Sequence, residues 1–206
     1  LTAKIVECEK TKNDLEIFEY VKSGDLQCNI IQIESNAFLS NSKIKSLSFN
    51  QNSHVFSIGN SAFENLLLET ISLPSSVEEL GSYCFSGLKK LNKIEIKSIK
   101  LTTGKGCFEN CTLLTSISFP NTKKIIIGDE SFKGCINLKQ FSTTQAELIN
   151  LGNFCFCGST NLQNATFDSK DITIGDNCFN ECNNLTSILF KNSNNIVRLY
   201  SIIYED

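Results

Sequence analysis

The chain has no Met and no Trp, and it contains only one His and two Pro in 206 residues. Catalysis by a Ser-His-Asp or Cys-His arrangement would have to use His54, and no nucleophile elbow or oriented acid accompanies that residue. The apolar runs are short, and none approaches the ~20 residues that cross a bilayer. We therefore expect no enzyme and no membrane insertion within this segment, and we interpret His54 as an exposed turn residue.

Clustered positive charge is missing as well. The formal net charge is -3 and the pI is about 5.3, which argues against a nucleic-acid partner because phosphate neutralisation needs clustered Lys and Arg. No Gly-rich phosphate loop is present, so no cofactor is expected. The residues after Leu1 lack the basic start and the apolar segment of a signal peptide. We interpret the chain as an internal or processed fragment.

The chain is rich in Phe, with 15, and in Cys, with 10. Seven of the Phe residues recur at separations of 25, 22, 23, 24, 24 and 23 residues, which indicates a template copied along the chain. These Phe anchors are Phe38, Phe63, Phe85, Phe108, Phe132, Phe156 and Phe179.

Two further columns keep the same spacing to the anchors. The glycine column, four residues before each anchor, is Gly59, Gly81, Gly104, Gly128, Gly152 and Gly175, with Glu34 in the first repeat. The small column, directly before each anchor, is Ala37, Ala62, Cys84, Cys107, Ser131, Cys155 and Cys178. The glycines are expected at a turn that needs positive φ or a close approach of two backbones.

Two segments with strand periodicity flank each anchor. The downstream segment has the spacing apolar-x-x-apolar-x-apolar, as in Leu114/Ile117/Phe119. The upstream segment is an alternating pair, and its examples include Ile31/Ile33, Phe56/Ile58 and Ile125/Ile127. Because one unit cannot bury its own apolar side, neighbouring units must stack as rungs ~4.8 Å apart. The sequence predicts a β-rich solenoid of about seven rungs of 22–25 residues with parallel strands.

The stretch 114–120, followed by 125–135, resembles the BspA-like, or Treponema-type, leucine-rich repeat. The unit of that family runs L-x-x-I-x-L-P-x-x-V-x-x-I-G-x-x-A-F-x-x-C, and the resemblance covers Ile30 to Phe190. It implies a right-handed leucine-rich-repeat superhelix with a strand on the concave side of every rung. It also implies an adhesin-like protein at the cell surface or secreted, which binds host-cell or matrix proteins. No binding residue is carried over, because the repeat residues of the family are structural.

Both ends depart from the template. Residues 1–29 are expected to form an N-terminal capping segment, with a β-hairpin between Lys4–Glu9 and Leu15–Val21. Residues 30–190 are the repeats. Residues 191–206 are expected to form a partial further repeat or a terminal strand.

The cysteines permit three interpretations. Seven of the ten fall into two template columns that Ala, Ser or Leu fill elsewhere, which favours buried structural thiols. One is the small column, and the other lies three residues after each anchor and contains Cys111, Cys135 and Cys182. Disulfides between neighbouring rungs are the first alternative, since same-column Cα atoms would lie about one strand spacing apart. Their candidate pairs are Cys84/Cys107, Cys111/Cys135 and Cys155/Cys178. A zinc site is the least favoured, because no four ligands are seen to converge.

The candidate binding surface lies on the downstream strands, where the residues that flank the central apolar position should face outward. They are Ser46, Ser48, Thr70, Ser72, Lys93, Glu95, Ser116, Ser118, Gln140, Ser142, Asn164, Thr166 and Ser187. The surface would offer hydroxyl and amide groups to a protein or a glycan. Small hydroxyl residues also suit any exposed strand, so this composition alone does not prove a site.

Two functions remain open at this level. The first is a non-enzymatic interaction module of an adhesin-like surface or secreted protein. The second is an intracellular, cytoplasmic scaffold of the same fold, which the high thiol content favours. The sequence indicates neither the ligand nor the oligomeric state.

Overall fold

The computed structural model describes residues 2–5, 13–23 and 26–197. These residues form a parallel-strand β-solenoid of about eight turns, with 17 strands and no helix among them. The strands are β1 (Thr2–Ile5), β2 (Asp14–Ile17), β3 (Tyr20–Ser23), β4 (Leu26–Ile33), β5 (Ser46–Phe49), β6 (Ser57–Ile58), β7 (Thr70–Leu73), β8 (Glu79–Leu80), β9 (Lys93–Ile96), β10 (Lys100–Thr103), β11 (Ser116–Ser118), β12 (Lys124–Ile127), β13 (Gln140–Ser142), β14 (Ala146–Leu151), β15 (Asn164–Ile174), β16 (Ser187–Lys191) and β17 (Asn195–Val197).

The strands form two ladders. The first ladder contains the strands that precede the glycine column, and it runs without interruption through β1, β4, β6, β8, β10, β12, β14, the end of β15 and β17. The second ladder contains β2 and the strands that follow each Phe anchor, and it consists of three parts: β2–β5, β7–β9–β11 and β13–β15–β16. The upstream strands, whose alternating pattern in the sequence is the weaker of the two, therefore form the continuous sheet. Some of them, such as β6 and β8, have only two residues.

The seven Phe anchors form one continuous stack through the core. Neighbouring ring centroids lie 5.1, 5.3, 5.5, 5.3, 5.3 and 5.4 Å apart along the series, and the rings are parallel within 9°. Every anchor ring is at most 3% exposed. The predicted periodic stacking is confirmed, and it gives each anchor a partner on the neighbouring rung.

The turn around each anchor uses two residues in left-handed conformation, a feature that the sequence analysis missed. The residues two positions before the anchor are Asn36, Ser61, Tyr83, Gly106, Glu130, Phe154 and Asn177, and those two positions after it are Ser40, Asn65, Gly87, Asn110, Gly134, Gly158 and Glu181. Most are not glycine, because each turn is held by backbone hydrogen bonds to the next rung, such as Phe85 N–H to the Cys107 carbonyl at 2.8 Å.

The glycine column serves close backbone approach and not positive φ. No glycine of this column has positive φ. A Cβ on Gly128 would lie 2.5 Å from the carbonyl oxygen of Gly104 on the preceding rung. The glycines therefore allow the backbones of adjacent rungs to touch at this corner.

The N-terminal segment differs from a single predicted hairpin. β1 pairs in parallel with β4, and β2 pairs in parallel with β5, so these two strands lie in different ladders. The antiparallel pair in this region is β3 with the start of β4. The reason is the alternation of Leu15 and Ile17, which places Ile17 in the core as in the repeats. Residues 6–12 of the predicted hairpin lie outside the described part of the chain.

In two of the upstream segments, the first residue of the predicted alternating apolar pair does not face the core. Phe56 is 45% exposed and Ile31 is half-buried, whereas the residues before them, Val55 and Ile30, are buried. The pairing of β1 with β4 shifts by one residue after Ala3 and skips Ile31. The Phe56 N–H donates a hydrogen bond to the Ile31 carbonyl at 2.9 Å. The one-residue shift in strand register is therefore also present in the next rung.

At the other end, β17 pairs in parallel with β15 and aligns Ile196 with Ile172. A further rung thus begins there in register with the previous one. The rest of the predicted terminal segment, residues 198–206, lies outside the described residues.

Candidate functional site

The second ladder presents two parallel columns of outward side chains. The alternation of each strand sends its apolar residues, such as Ile71, Ile94 and Ile117, into the core and its flanking residues outward. All thirteen predicted surface residues are exposed or half-buried. Their placement follows directly from the two-residue period of a strand.

Strand register aligns these residues from rung to rung. Lys93 lies opposite Thr70 on one side and Ser116 on the other. Gln140, Asn164 and Ser187 align in the same way further along. We call the thirteen residues together the polar face. That it lies on the concave side of the solenoid stays a prediction.

The polar face extends one rung further than the sequence analysis placed it. Asp14 lies opposite Ser46, and Glu16 lies opposite Ser48. The Ser46 hydroxyl donates to Asp14 Oδ1 at 2.6 Å. The alternation of Leu15 and Ile17 was the available signal for this extra rung.

Among the thirteen predicted residues, the two charged ones, Lys93 and Glu95, lie on the central strand β9. Glu95 accepts a hydrogen bond from the Ser72 hydroxyl at 3.2 Å and lies 3.6 Å from the Lys97 amine. Lys93 forms no ion pair with any described residue. Its exposed ammonium group, placed between Thr70 and Ser116, is therefore available to a partner.

The second ladder is interrupted beside Phe141. No strand pairing joins β11 to β13. Phe141 occupies a central position that Ile fills at Ile94 and Ile117, and its ring contacts Phe119 and Phe156 at 5.7 and 4.9 Å. Ala165 lies opposite it on the next strand and leaves room for the larger ring. The larger ring thus lies on the first strand after the interruption between β11 and β13.

The cysteines are free thiols in the nine described positions, and eight of those nine are buried. Burial raises the pKa of the Cys84, Cys111 and Cys155 thiols well above the usual value, and it raises the pKa of Cys135 to about 12. These groups are neutral at physiological pH, so they are poor nucleophiles and poor metal ligands. Cys8 lies outside the described residues.

A charged cluster lies on the turns beside the Phe anchors. Glu130 is 2.9 Å from the Lys105 amine and 3.4 Å from the Lys133 amine. The hydrogen bond from Lys105 lowers the pKa of Glu130, while partial burial raises the pKa of the nearby Glu109. With two Lys and two Glu residues, the cluster has no net formal charge.

The remaining candidate features in the described part of the chain are the single histidine, clusters of metal ligands and membrane-spanning helices. His54 is exposed, and its Nδ1 lies 2.6 Å from the Asn52 carbonyl oxygen. No group of three or more His, Cys, Asp or Glu in residues 2–5, 13–23 and 26–197 could hold a metal ion. Within these ranges no helix is long and apolar enough to span a membrane.

Comparisons with known proteins agree with this architecture. A family model described as "BspA type Leucine rich repeat region" matches residues 17–126 and 102–204, with six copies. A search of curated protein sequences finds no match.

One solved structure shows the same fold, and two others are similar to a lower degree. A leucine-rich repeat protein of Treponema pallidum has a TM-score of 0.68 at 20% identity, over 85% of this chain and 78% of that chain. The pneumococcal vaccine antigen PcpA has a TM-score of 0.49 at 17% identity, over 94% of this chain and 64% of that chain. A leucine-rich repeat protein from Bacteroides ovatus has a TM-score of 0.47 at 16% identity, over 91% and 71% of the two chains.

Proposed function

Because the chain belongs to the family of BspA-type leucine-rich repeat proteins, we propose that it is a non-enzymatic scaffold that binds another protein through its polar face. We further propose that it acts at the cell surface or as a secreted, adhesin-like protein, with a host-cell or matrix protein as its partner. The family supports this role, since its repeats build a rigid interaction surface.

The observation that carries the proposal is the alignment of outward polar side chains within two runs of paired strands, β7–β9–β11 and β13–β15–β16. Strand register fixes their spacing, so a partner meets an ordered array instead of independent side chains. Most of them are small, which leaves the strands open to close approach. Lys93 supplies a charge that is free to pair with an acidic group of the partner.

A protein partner is favoured over a glycan by the residue types of the face. Sugar rings are commonly bound against aromatic side chains, and none of the thirteen residues is aromatic. Hydroxyl and amide groups with a central charge can exchange hydrogen bonds with the polar rim of a protein interface.

The test is a binding array of immobilised extracellular-matrix and cell-surface proteins, probed with the chain and two variants. The face variant carries Gln140→Arg and Ser142→Arg, which place two bulky cations on the polar face. The control variant carries Asn121→Arg and Asn180→Arg, two exposed positions outside that face, so it adds the same charge.

We expect the chain and the control variant to bind the same partner, and the face variant to lose at least tenfold in affinity. Absence of any partner above background would count against the proposal. Equal binding by the face variant would remove the polar face from it, and binding only to a glycan array would replace the protein partner.

A second candidate is an intracellular scaffold of the same fold. The free thiols favour it, because reduced cysteines persist in the cytosol. Locating the full-length protein in its own cells, with an antibody applied to intact and to permeabilised cells, separates the two candidates. Staining of intact cells supports the surface role.

A further inference from the structure

Six lysines lie between the Phe anchors and the centres of the downstream strands, four to eight residues after an anchor. They are Lys43 and Lys45 on the first rung, Lys89, Lys90 and Lys93 on the third, and Lys139 on the fifth. We call these six residues the basic strip. The same positions of all seven rungs hold a single acidic residue, Glu69. The strip is therefore positive, although the formal net charge of the chain is -3.

The sequence itself shows no cluster of positive charge, because the repeats separate the members of the strip. Stacking brings them together, since lysines on alternate rungs are two strand spacings, about 10 Å, apart. The turns in this region share one conformation. The N–H groups of Lys89, Thr112 and Ile136 each donate to the carbonyl of the residue two positions earlier at 2.9 Å. Equivalent positions on the third, fourth and fifth rungs are therefore presented in the same way.

The charges of the basic strip are available to a partner. All six lysines are exposed, and within the ranges that the structure describes none of them forms an ion pair. Two lysines on the anchor turns, Lys105 and Lys133, behave differently, because both are paired with Glu130. An anionic partner would thus meet free ammonium groups on the strip and neutralised ones on the turns beside it.

Two exposed apolar side chains lie between the lysines of the third and fifth rungs. Leu113 on the fourth rung is 49% exposed, and Ile136 on the fifth is 41% exposed. We call these two residues the apolar patch. Next to Ile136, the Asn137 Nδ2 group donates to the Thr112 carbonyl at 2.7 Å, which holds the two turns against each other. The strand pairing of the second ladder is interrupted between the same two rungs.

We propose that the basic strip and the apolar patch bind an acidic segment of the partner protein, with an apolar side chain of that segment against Leu113 and Ile136. This inference rests on the proposed function and names the chemistry of its partner. Charge complementarity attracts and orients the segment, and burial of the patch adds a contact that does not depend on charge.

A short acidic segment suits this surface better than a long polyanion such as a nucleic acid or a sulfated glycan. The anchor turns beside the strip carry Glu64, Glu109 and Glu130. A polymer with charge along its whole length would also meet these carboxylates and be repelled. It would in addition leave the apolar patch without a matching group.

The test is the binding of fluorescein-labelled probes to the chain, measured by fluorescence anisotropy. The acidic probe is a peptide that repeats Glu-Val-Thr four times. One control peptide has Gln in place of every Glu, and the other has Thr in place of every Val. A labelled heparin fragment and a labelled single-stranded DNA represent the other polyanions.

Three variants use residues that other rungs already carry at the same positions. The strip variant combines Lys90→Asn and Lys139→Gln, as at Asn161 and Gln163. The patch variant combines Leu113→Asn and Ile136→Thr, as at Asn137 and Thr160. The control variant combines Lys124→Asn and Lys170→Asn on the side of the first ladder, as at Asn195 and Asn194. Equal melting temperatures of the three variants and the chain establish that each is folded.

We expect the acidic probe to bind more tightly than either control peptide, and more weakly as the salt concentration rises. The strip variant should lose about tenfold in affinity for it, and the control variant should stay within about twofold. The patch variant should lose about fivefold, with a remaining affinity that still depends on salt. Heparin and DNA should bind more weakly than the acidic probe, and the patch variant should bind them as the chain does.

No binding of the acidic probe would overturn the inference, as would equal losses in the strip and control variants. Tighter binding of heparin or DNA would assign the strip to that polyanion instead. A matrix or cell-surface protein that binds through the polar face and is not displaced by the acidic probe would also overturn it, while the proposed function would stand. Displacement of that protein by the probe supports both.

Discussion

At the scale of single residues, burial determines the chemistry of the cysteine thiols. The thiol of Cys135 lies in the core, where loss of solvation raises its pKa to about 12. In the unfolded chain a thiol ionises near pH 8.5. The folded state therefore keeps a proton that the unfolded state releases, and the stability that this proton supports is complete below pH ~8.5 and declines as the pH rises toward 12.

We predict that the free energy of unfolding falls between pH 9 and 11, and that Cys135→Ser makes this fall shallower by up to ~1.4 kcal/mol per pH unit. Serine does not titrate, and Ser159 shows that a hydroxyl fits the equivalent position. Urea unfolding of both proteins at several pH values measures the difference. Equal slopes would show that Cys135 is not the buried neutral thiol described above.

The glycine column makes a second prediction at this scale. Gly128→Ala should cost at least ~2 kcal/mol of stability, because its Cβ would meet the Gly104 carbonyl oxygen at 2.5 Å and backbone atoms cannot easily move aside. Gly158→Asn serves as the control. Asn110 already adopts left-handed φ at the equivalent position, so we expect a change within ~0.5 kcal/mol. Denaturant unfolding of both variants checks the order, and equal costs would contradict it.

At the scale of the strand, the side chains of two residues on adjacent rungs compete for the same space in the core. Phe141 is fully buried and lies opposite Ala165. Phe141→Ala should cost about 3–5 kcal/mol through the cavity that it leaves. Ala165→Ile should cost about 1–3 kcal/mol through overpacking.

The double variant Phe141→Ile/Ala165→Ile should lose less stability than the sum of Phe141→Ile and Ala165→Ile alone, since it restores the residue that the other rungs carry. Thermal unfolding of the three variants measures this coupling. Strictly additive losses would mean that the two side chains do not compete for space.

Much of the fold could be predicted at this scale, because stacking forces the same residue into the same place in every rung. The Phe anchors, the columns and the polar face all follow from that repetition. The inward role of Val55 could not be predicted, since it depends on a register shift two strands away. The positions with left-handed φ in the turns could not be predicted either, because residues as different as Tyr83 and Glu130 adopt this conformation. Which residues of the polar face bind a partner stays a prediction, since exposure alone does not distinguish them.

At the scale of the whole molecule, stability should arise from nearest-neighbour contacts along the stack. Each Phe ring touches the rings of the adjacent rungs and none further away, as in a one-dimensional array. A substitution that removes ring contacts on one rung should therefore destabilise the neighbouring rungs and leave the stability of distant rungs unchanged. This expectation separates a solenoid from a globular core in which all large side chains meet.

The most direct measurement is a pair of double-mutant cycles by urea unfolding. One cycle combines Phe108→Leu with Phe132→Leu, whose native rings lie 5.3 Å apart, and the other combines Phe63→Leu with Phe156→Leu, four rungs apart. We predict a coupling of about 0.5–1.5 kcal/mol in the first cycle and additivity within ~0.5 kcal/mol in the second. Additivity in the first cycle, or equal coupling in both, would contradict the stacked arrangement on which the fold and the polar face depend.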